Sequence, residues 1–351
     1  MGNRGRQETL GVQRIAHALA EVRRVALAAY DAGLCLAPPR TDGSKSPIGS
    51  WKQFQERRPS RQEILSWYGP NTGIGLVCGK VSGNVECLEF DDLETYDAYK
   101  ALARVVGLGD LVVRIEEGYL ERSPSKGIHW LYRCQEISGN TRLAQRPEES
   151  NRVKVLIETR GEGGYIVIAP SFGKVHPSGR PCVLLRGGVT TIATIAPEER
   201  RSLWELARSF DLMLKPIADE GPGQFSPPCG ERPGDEFSNQ TSWEGVLAPH
   251  GWVKVYQRGD VGYWRRPGKE SGVSATTNWQ GSDLLYVFST STIFEPERGY
   301  SKFSAHALLE HGGDFKAAAK SLVKQGYGNP RRNPRKGHHR PRPITSWEVR
   351  G

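Results

Sequence analysis

Val12, Ile15, Leu19, Val22 and Ala26 recur at spacings of three and four along residues 10–33. That period predicts a helix with a single apolar stripe. Cys35-Leu36-Ala37 predicts a short strand entering a loop over 38–50. Ser60 with Glu63 three residues on is a capping-box signature, so a second helix is expected from there to Trp67-Tyr68-Gly69. From 73 to 171 the pattern changes to short runs of Val, Ile and Leu bounded by Gly, Ser or Pro. These predict strands over 73–78, 85–90, 111–115, 128–133, 153–157 and 165–169, with one helix over 93–106. A further helix is expected over 197–214. Mostly consecutive strands with helices at intervals predict an α+β fold with a largely antiparallel sheet.

The chain has 351 residues, 37% hydrophobic and 25% charged, with 41 Gly and 23 Pro. At roughly 100–200 residues per domain, two domains are expected. Residues 217–242 contain Gly221-Pro222-Gly223, Pro227-Pro228 and Arg232-Pro233-Gly234 and little apolar periodicity, as a linker would. The expected organisation is a first domain over 10–215, a Pro/Gly-rich linker over 216–242, a small α+β domain over 243–328 and a basic disordered tail over 329–351. In the small domain, strands are expected over 252–257, 262–265 and 284–288, and helices over 302–311 and 315–325.

Charge and cysteine usage narrow the function classes. Seven basic residues and one acid in 329–351 carry +6 of the net +9, so the body is only mildly basic. A polyanion partner fits that balance. No apolar run approaches the roughly 18 residues that cross a bilayer, and the N-terminal residues lack a secretory apolar stretch, so no membrane contact is expected. Six scattered cysteines with no CxxC pair argue against a zinc ribbon or a disulfide framework, and a cytoplasmic location is expected.

Three stretches carry candidate chemistry. In Val85-Glu86-Cys87-Leu88-Glu89-Phe90-Asp91-Asp92, Glu89 and Asp91 are two apart and share a face at the end of an apolar strand. Adjacent carboxylates repel unless a cation lies between them, which suits a divalent metal such as Mg²⁺ or Mn²⁺. A solvated strand end with Asp92 as a helix cap is the alternative. Ser123-Pro124-Ser125-Lys126-Gly127-Ile128-His129 is a turn that offers backbone N–H groups, a cation and a histidine to a phosphate. A purely structural histidine is the alternative there. In Val155-Leu156-Ile157-Glu158-Thr159-Arg160-Gly161, an acid again ends an apolar strand before a Gly-rich turn, and a hairpin with a surface Glu would look the same. Together, within one stretch, the three suggest metal-assisted nucleotidyl transfer, with Arg160 neutralising phosphate charge.

The order of these motifs resembles the bifunctional DNA primase/polymerase (prim-pol) branch of the archaeo-eukaryotic primase superfamily. The resemblance rests on Glu89-Phe90-Asp91, on Ser125-Lys126-Gly127-Ile128-His129, and on Glu158 before Arg160-Gly161-Glu162-Gly163-Gly164-Tyr165. Val167-Ile168-Ala169-Pro170-Ser171, the segment from Thr41 to Trp51, and Thr72-Gly73-Ile74-Gly75-Leu76 also fit. It implies a modified RRM-like primase-polymerase catalytic domain with a largely antiparallel sheet. It further implies that Glu89, Asp91 and Glu158 hold two divalent ions, and that His129, Ser125, Lys126 and Gly127 grip the triphosphate of an NTP or dNTP. Lys45 and Arg160 are further candidate phosphate contacts. The family usually has Asp where this chain has Glu89 and Glu158; both remain carboxylates. The resemblance implies priming or extension on single-stranded DNA for a phage, plasmid or integrated element, beside a separate replicative helicase. A non-catalytic DNA-binding module that recruits the helicase is the alternative. A rolling-circle nickase is disfavoured because no His–X–His pair is present.

Residues 243–328 resemble a small domain that follows the prim-pol domain in phage and mobile-element replication proteins. There Tyr263, Trp264, Arg265, Arg266 and Lys269 mix aromatics with cations, a composition suited to single-stranded DNA. A core Trp with a solvated basic hairpin is the other reading.

Overall fold

The computed structural model describes residues 2–69, 71–149, 152–213 and 232–328. In chain order the elements are α1 (Gly2–Asp31), β1 (Cys35–Leu36), α2 (Arg61–Trp67), β2 (Ile74–Val77), β3 (Val85–Phe90), α3 (Leu93–Val105), α4 (Gly109–Gly118), β4 (Tyr119–Arg122), β5 (Ile128–Cys134), β6 (Thr141–Pro147), β7 (Val153–Arg160), β8 (Tyr165–Ile168), β9 (Val183–Gly187), β10 (Ala193–Ile195) and α5 (Pro197–Arg208). Then follow α6 (Pro233–Gln240), α7 (Trp243–Leu247), β11 (Val253–Arg258), β12 (Val261–Arg265), β13 (Ala275–Thr277), β14 (Leu285–Val287), β15 (Gly299–Tyr300), α8 (Lys302–His311) and α9 (Phe315–Lys324). This is an α+β fold.

The central sheet has the order β6-β7-β3-β5-β4-β9, antiparallel throughout, with β10 added parallel to β5. Strand periodicity sends alternate residues of β3 to opposite faces. On one face, Leu88 and Phe90 join Trp130, Tyr132 and Ile157 under α3, α4 and α5. Phe90 meets Tyr99 and Trp130 edge-on at 5.0 Å, contacts worth about 0.5–1.5 kcal/mol each beyond burial. On the other face, Val85, Cys87 and Leu131 pack with Val22, Ala26 and Ala29 of α1, with α2, and with the small antiparallel sheet β1-β2-β8. The apolar cover on this second face ends before Glu89, and the site lies there.

Local signals formed as the sequence predicts at several places. Ser60 accepts from the Glu63 amide while the Glu63 carboxylate accepts from the Ser60 amide, which completes the capping box of α2. Asp92 caps α3 through the Thr95 amide. Two expectations need correction, those for residues 111–115 and for the stripe of α1. Residues 111–115 are helical, in α4, not a strand: Leu111, Val112 and Ile115 also fit helical spacing, and burial against the sheet selects that period. Ser171, in the stretch that resembles the family, is a knot in the backbone: its hydroxyl accepts from the Ile74 amide and donates to the Ile168 carbonyl. In α1 the stripe is buried only from Val22 on, while Val12 and Ile15 are 68% and 56% exposed.

The chain forms two compact units, one of Met1–Ala218 with Leu247–Tyr300 and one of Asp219–Val246 with Ser301–Gly351. The sheet β11-β12-β13-β14-β15, expected in a separate domain over 243–328, therefore belongs to the first unit. Tyr263 and Val273 join the core that α3, α4 and α5 cover. In the second unit α6, α8 and α9 pack together, with Phe237 against His306 and Tyr327. Its helix α6 falls inside the segment expected as linker; the rest of that segment from 216 to 231, Cys229 and the tail over 329–351 lie outside the described residues. The other five cysteines are free and buried. No helix among the described residues is long and apolar enough to cross a membrane.

Candidate active site

Four strands contribute one polar residue each to a single row. Glu89 of β3 is in register with Glu158 of β7 on one side and with His129 of β5 on the other; His129 is in register with Glu121 of β4. Directly opposed side chains have Cβ atoms about 4.5–5.5 Å apart, so the four interact in sequence. Arg142 of β6 extends the row beyond Glu158.

Charge is balanced along the row by close pairing. His129 donates Nδ1–H to Glu121 Oε1 at 2.6 Å, and its Nε2 lies 3.6 Å from Glu89 Oε1. Glu121 is fully buried; its other oxygen accepts from the Tyr119 hydroxyl and the Ala169 amide, both at 2.7 Å. Burial opposes a charge on His129, but the Glu121 hydrogen bond and then Glu89 outweigh it and raise the imidazole pKa to about 10. His129 is therefore an imidazolium at neutral pH. Burial likewise opposes ionisation of Glu89, but His129, Arg160 and Lys45 outweigh it and lower the carboxyl to about 2. Arg160 spans the two acids, with Nη2 2.5 Å from Glu158 Oε1 and Nε 3.5 Å from Glu89 Oε2. Glu158 nonetheless has a raised pKa, through burial first and then the charges of Glu89 and Asp91.

Asp91 is held differently. Lys154 Nζ lies 3.3 Å from Asp91 and 2.9 Å from Asp92. Among the described residues no three His, Cys, Asp or Glu side chains are gathered closely enough to hold a metal ion. The structure brings Glu89 and Glu158 together on Arg160 and places Asp91 on Lys154, within electrostatic reach of Glu158.

The turn between β4 and β5 closes the other side. The Ser123 amide donates to the Gly127 carbonyl and the Ser123 carbonyl accepts from the Lys126 amide, while Lys126 takes a left-handed φ of 78°. A Cβ at Gly127 would lie 2.2 Å from the Phe90 carbonyl, so only glycine lets the turn approach the end of β3. Ser125 and Lys126 are exposed, and Ser125 Oγ is 3.2 Å from His176 Nε2. A cavity of about 100 Å³ lies between this turn and the row, lined by Lys45, Glu89, Ser125, His129, Arg160 and His176 among others. Glu158 and Glu121 balance Arg160 and His129, so the cavity offers an anion the ammonium of Lys45 and the exposed turn at Ser125 and Lys126. In the Gly-rich turn, a Cβ at Gly161 would lie 1.9 Å from the Ser138 carbonyl; that turn is fixed by packing against its neighbour.

Sequence reasoning missed Glu121, Arg142 and His176. Glu121 stands eight residues before His129, and only the pairing of β4 with β5 brings the two together. The candidate DNA contacts on β12 need correction. Tyr263 and Trp264 are buried, and Trp264 donates its indole N–H to Thr277. Lys269 is buried against Glu205, on α5. Arg265 and Arg266 donate to the Glu270 and Pro267 carbonyls. The aromatic faces of Tyr263 and Trp264 are therefore used in packing and present no stacking surface.

The fold is an α+β domain with an antiparallel sheet and an acid–histidine row at one end. Residues 26–199 match the family model of the bifunctional DNA primase/polymerase, N-terminal domain, and this region of the chain belongs to that family. No curated protein matches the chain. The family carries DNA primase/polymerase activity and is generally metal-dependent.

Proposed function

We propose that the domain is a template-dependent nucleotidyltransferase that makes or extends primers on single-stranded DNA from NTPs or dNTPs, in the replication of a phage, plasmid or integrated element. The observation that carries this reading is the row Glu158–Glu89–His129–Glu121 beside a cavity that Lys45, Arg160 and His129 line. A triphosphate is an anion of the right kind for Lys45, Arg160 and the His129 imidazolium. The backbone N–H groups of Ser125 and Gly127 add neutral donors, the Lys126 amide being bonded to the Ser123 carbonyl.

The donor set also suits Mg²⁺ or Mn²⁺. Glu89, Asp91 and Glu158 are hard oxygen ligands, and the contacts of Glu89 with Arg160 and His129, at 3.5 and 3.6 Å, leave lone pairs available. Those three residues would hold the ions. When bound, such ions acidify a primer 3′-hydroxyl and stabilise charge on the α-phosphate. Lys154 and Arg160 occupy carboxylate oxygens in this structure, and both are about a quarter to a third exposed, so they can swing toward phosphate when an ion takes their place. Glu121 holds His129 in one orientation through Nδ1, which aims Nε2 at the site.

Primer synthesis and extension assays with Mg²⁺ or Mn²⁺ test the reading beside Glu89→Ala and Asp91→Ala. Wild type should incorporate nucleotides and both variants should lose about 100-fold or more. A wild type as inert as the variants would leave a non-catalytic DNA-binding module as the function.

A further inference from the structure

The loop between β8 and β9 ties together two segments that flank the cavity beside the acid row. Its Lys174 carbonyl accepts from the Gly43 amide at 2.6 Å, two residues before Lys45. Its Arg180 donates Nε–H to the Pro124 carbonyl at 2.7 Å, next to Ser125. A Cβ at Gly43 would already lie 3.5 Å from Pro177, so the Lys45 segment sits directly against this loop. Between the two anchors, the half-buried His176 lines the cavity and meets Ser125.

The hydrogen bonds of His176 fix its tautomer. Nδ1 accepts from the Ser178 amide at 3.0 Å, and the Ser178 hydroxyl lies 2.8 Å from it. A backbone N–H can only donate, so Nδ1 carries no proton. Partial burial first, and then the charges of Lys45 and Arg180, lower the imidazole pKa below the ordinary 6.5, so the ring is neutral at pH 7. A neutral ring with Nδ1 used as an acceptor keeps its proton on Nε2. Nε2–H therefore donates to Ser125 Oγ, 3.2 Å away. A hydroxyl that accepts from a fixed donor turns its own hydrogen away from that donor. Ser125 also lines the cavity, so its O–H is left to donate there.

We propose that His176 is a positioning residue that turns the Ser125 hydroxyl into the cavity as a donor to an anionic oxygen of the nucleotide triphosphate. The proposal rests on the nucleotidyltransferase reading for the identity of the anion. A lone serine hydroxyl rotates to suit any neighbour. His176 removes that freedom before the nucleotide arrives, which lowers the cost of binding. It does so as a neutral group, so it orients a donor without adding charge beside the carboxylates of the row.

The test measures the affinity of the full chain for ATP and dATP with Mg²⁺ by titration calorimetry. It compares wild type, Ser125→Ala, His176→Asn, His176→Gln and the double variant of Ser125→Ala with His176→Asn. His176→Asn keeps an acceptor at the place of Nδ1 for the Ser178 amide but does not reach Ser125. His176→Gln puts an amide N–H near the place of Nε2. Ser125→Ala loses a hydrogen bond to a charged group and should weaken the tighter-binding nucleotide about 10-fold or more. His176→Asn should weaken it about 2- to 10-fold, as expected for one neutral hydrogen bond, with an unchanged thermal unfolding midpoint. His176→Gln should recover most of that loss. In the double variant, His176→Asn should cost nothing beyond Ser125→Ala, because its effect runs through the hydroxyl. An equal loss in Asn and Gln, an Asn loss undiminished beside Ser125→Ala, or no loss in Asn overturns the proposal. So does a wild type that binds neither nucleotide. Nucleotide incorporation on a pre-annealed primer, run alongside with Glu89→Ala, reads the nucleotidyltransferase assignment separately. An inert wild type that binds nucleotide with the coupling intact removes the enzyme and leaves the role of His176 standing. An active wild type without the coupling does the reverse.

Discussion

Strand β3 carries two glutamates three residues apart, each paired with an arginine, on opposite faces of one sheet. Glu86 is fully buried and accepts from Arg200 Nε at 2.7 Å, Arg200 Nη2 at 2.8 Å and the Tyr132 hydroxyl at 2.6 Å. Arg200 is itself stacked on Trp204, 3.9 Å from the ring centroid, and also donates to Ser138. Glu89 is a quarter exposed, and its ion contacts with Arg160 and His129 are 3.5 and 3.6 Å, longer than hydrogen bonds. The same pair of residue types is thus saturated on one face and unsaturated on the other. A saturated pair ties α5 to the sheet. An unsaturated one keeps lone pairs available to a ligand.

The sharpest way to break that contrast is to truncate both acids. Glu86→Ala leaves Arg200 as an uncompensated buried charge and should cost about 3–5 kcal/mol in urea unfolding. Glu89→Ala removes longer contacts at a partly open position and should cost about 1 kcal/mol or less. Equal losses would mean that Glu89 is as structural as Glu86. Activity should rank the pair the other way. Glu89→Gln keeps the volume and removes the charge, and its rate of nucleotide incorporation should fall about 100–1,000-fold. A folded Glu86→Gln should stay close to wild type in the same assay.

The two faces also differ in how far they can be read without coordinates. Glu89, His129 and Glu158 stand out because each ends or begins an apolar strand beside a glycine-bearing turn, and those are local signals. Their mutual register is not local, yet the strands were legible enough to place all three on one sheet. Glu86 and Arg200 are separated by 114 residues, and nothing near either one announces the other. Residues 111–115 satisfy both the strand and the helix period, so only the core could choose. Tyr263 and Trp264 fail for a related reason. An aromatic–basic mixture has the same composition whether its rings face solvent or the interior, and here the sheet docks on the core and turns them inward.

A smaller effect sharpens the comparison from within the open face. Glu121 touches no expected substrate atom but hydrogen-bonds His129 as Arg200 hydrogen-bonds Glu86. It is a positioning residue. By analogy with the carboxylates that orient metal-bound histidines, Glu121→Gln should lower kcat/KM by about 10–100-fold. Because His129 is assigned to the triphosphate, the loss should fall mainly on the nucleotide KM, with kcat changed less. A loss confined to kcat would move His129 from binding to the chemical step.

The smallest effect is a pH slope in stability. His129 has a folded pKa of about 10 against an ordinary value of 6.5, because Glu121 and Glu89 outweigh burial. A group raised in the folded state contributes stability that is fully present below its unfolded pKa and is lost as pH rises through the folded one. The contribution of His129 should therefore be complete below about pH 6.5 and fade toward pH 10. Glu121→Gln removes the largest of the raising interactions, so the folded pKa drops and less stability remains to be lost over that window. Urea unfolding at pH 6.5, 8 and 9.5 without divalent ions gives the readout as a difference between wild type and variant, in which the other groups that titrate near pH 9–10 cancel. The variant should be less stable at pH 6.5, and its curve should approach that of wild type as pH rises. Parallel curves would mean that the imidazole is neutral in the folded protein, and the cation facing Glu89 would then be Arg160 alone.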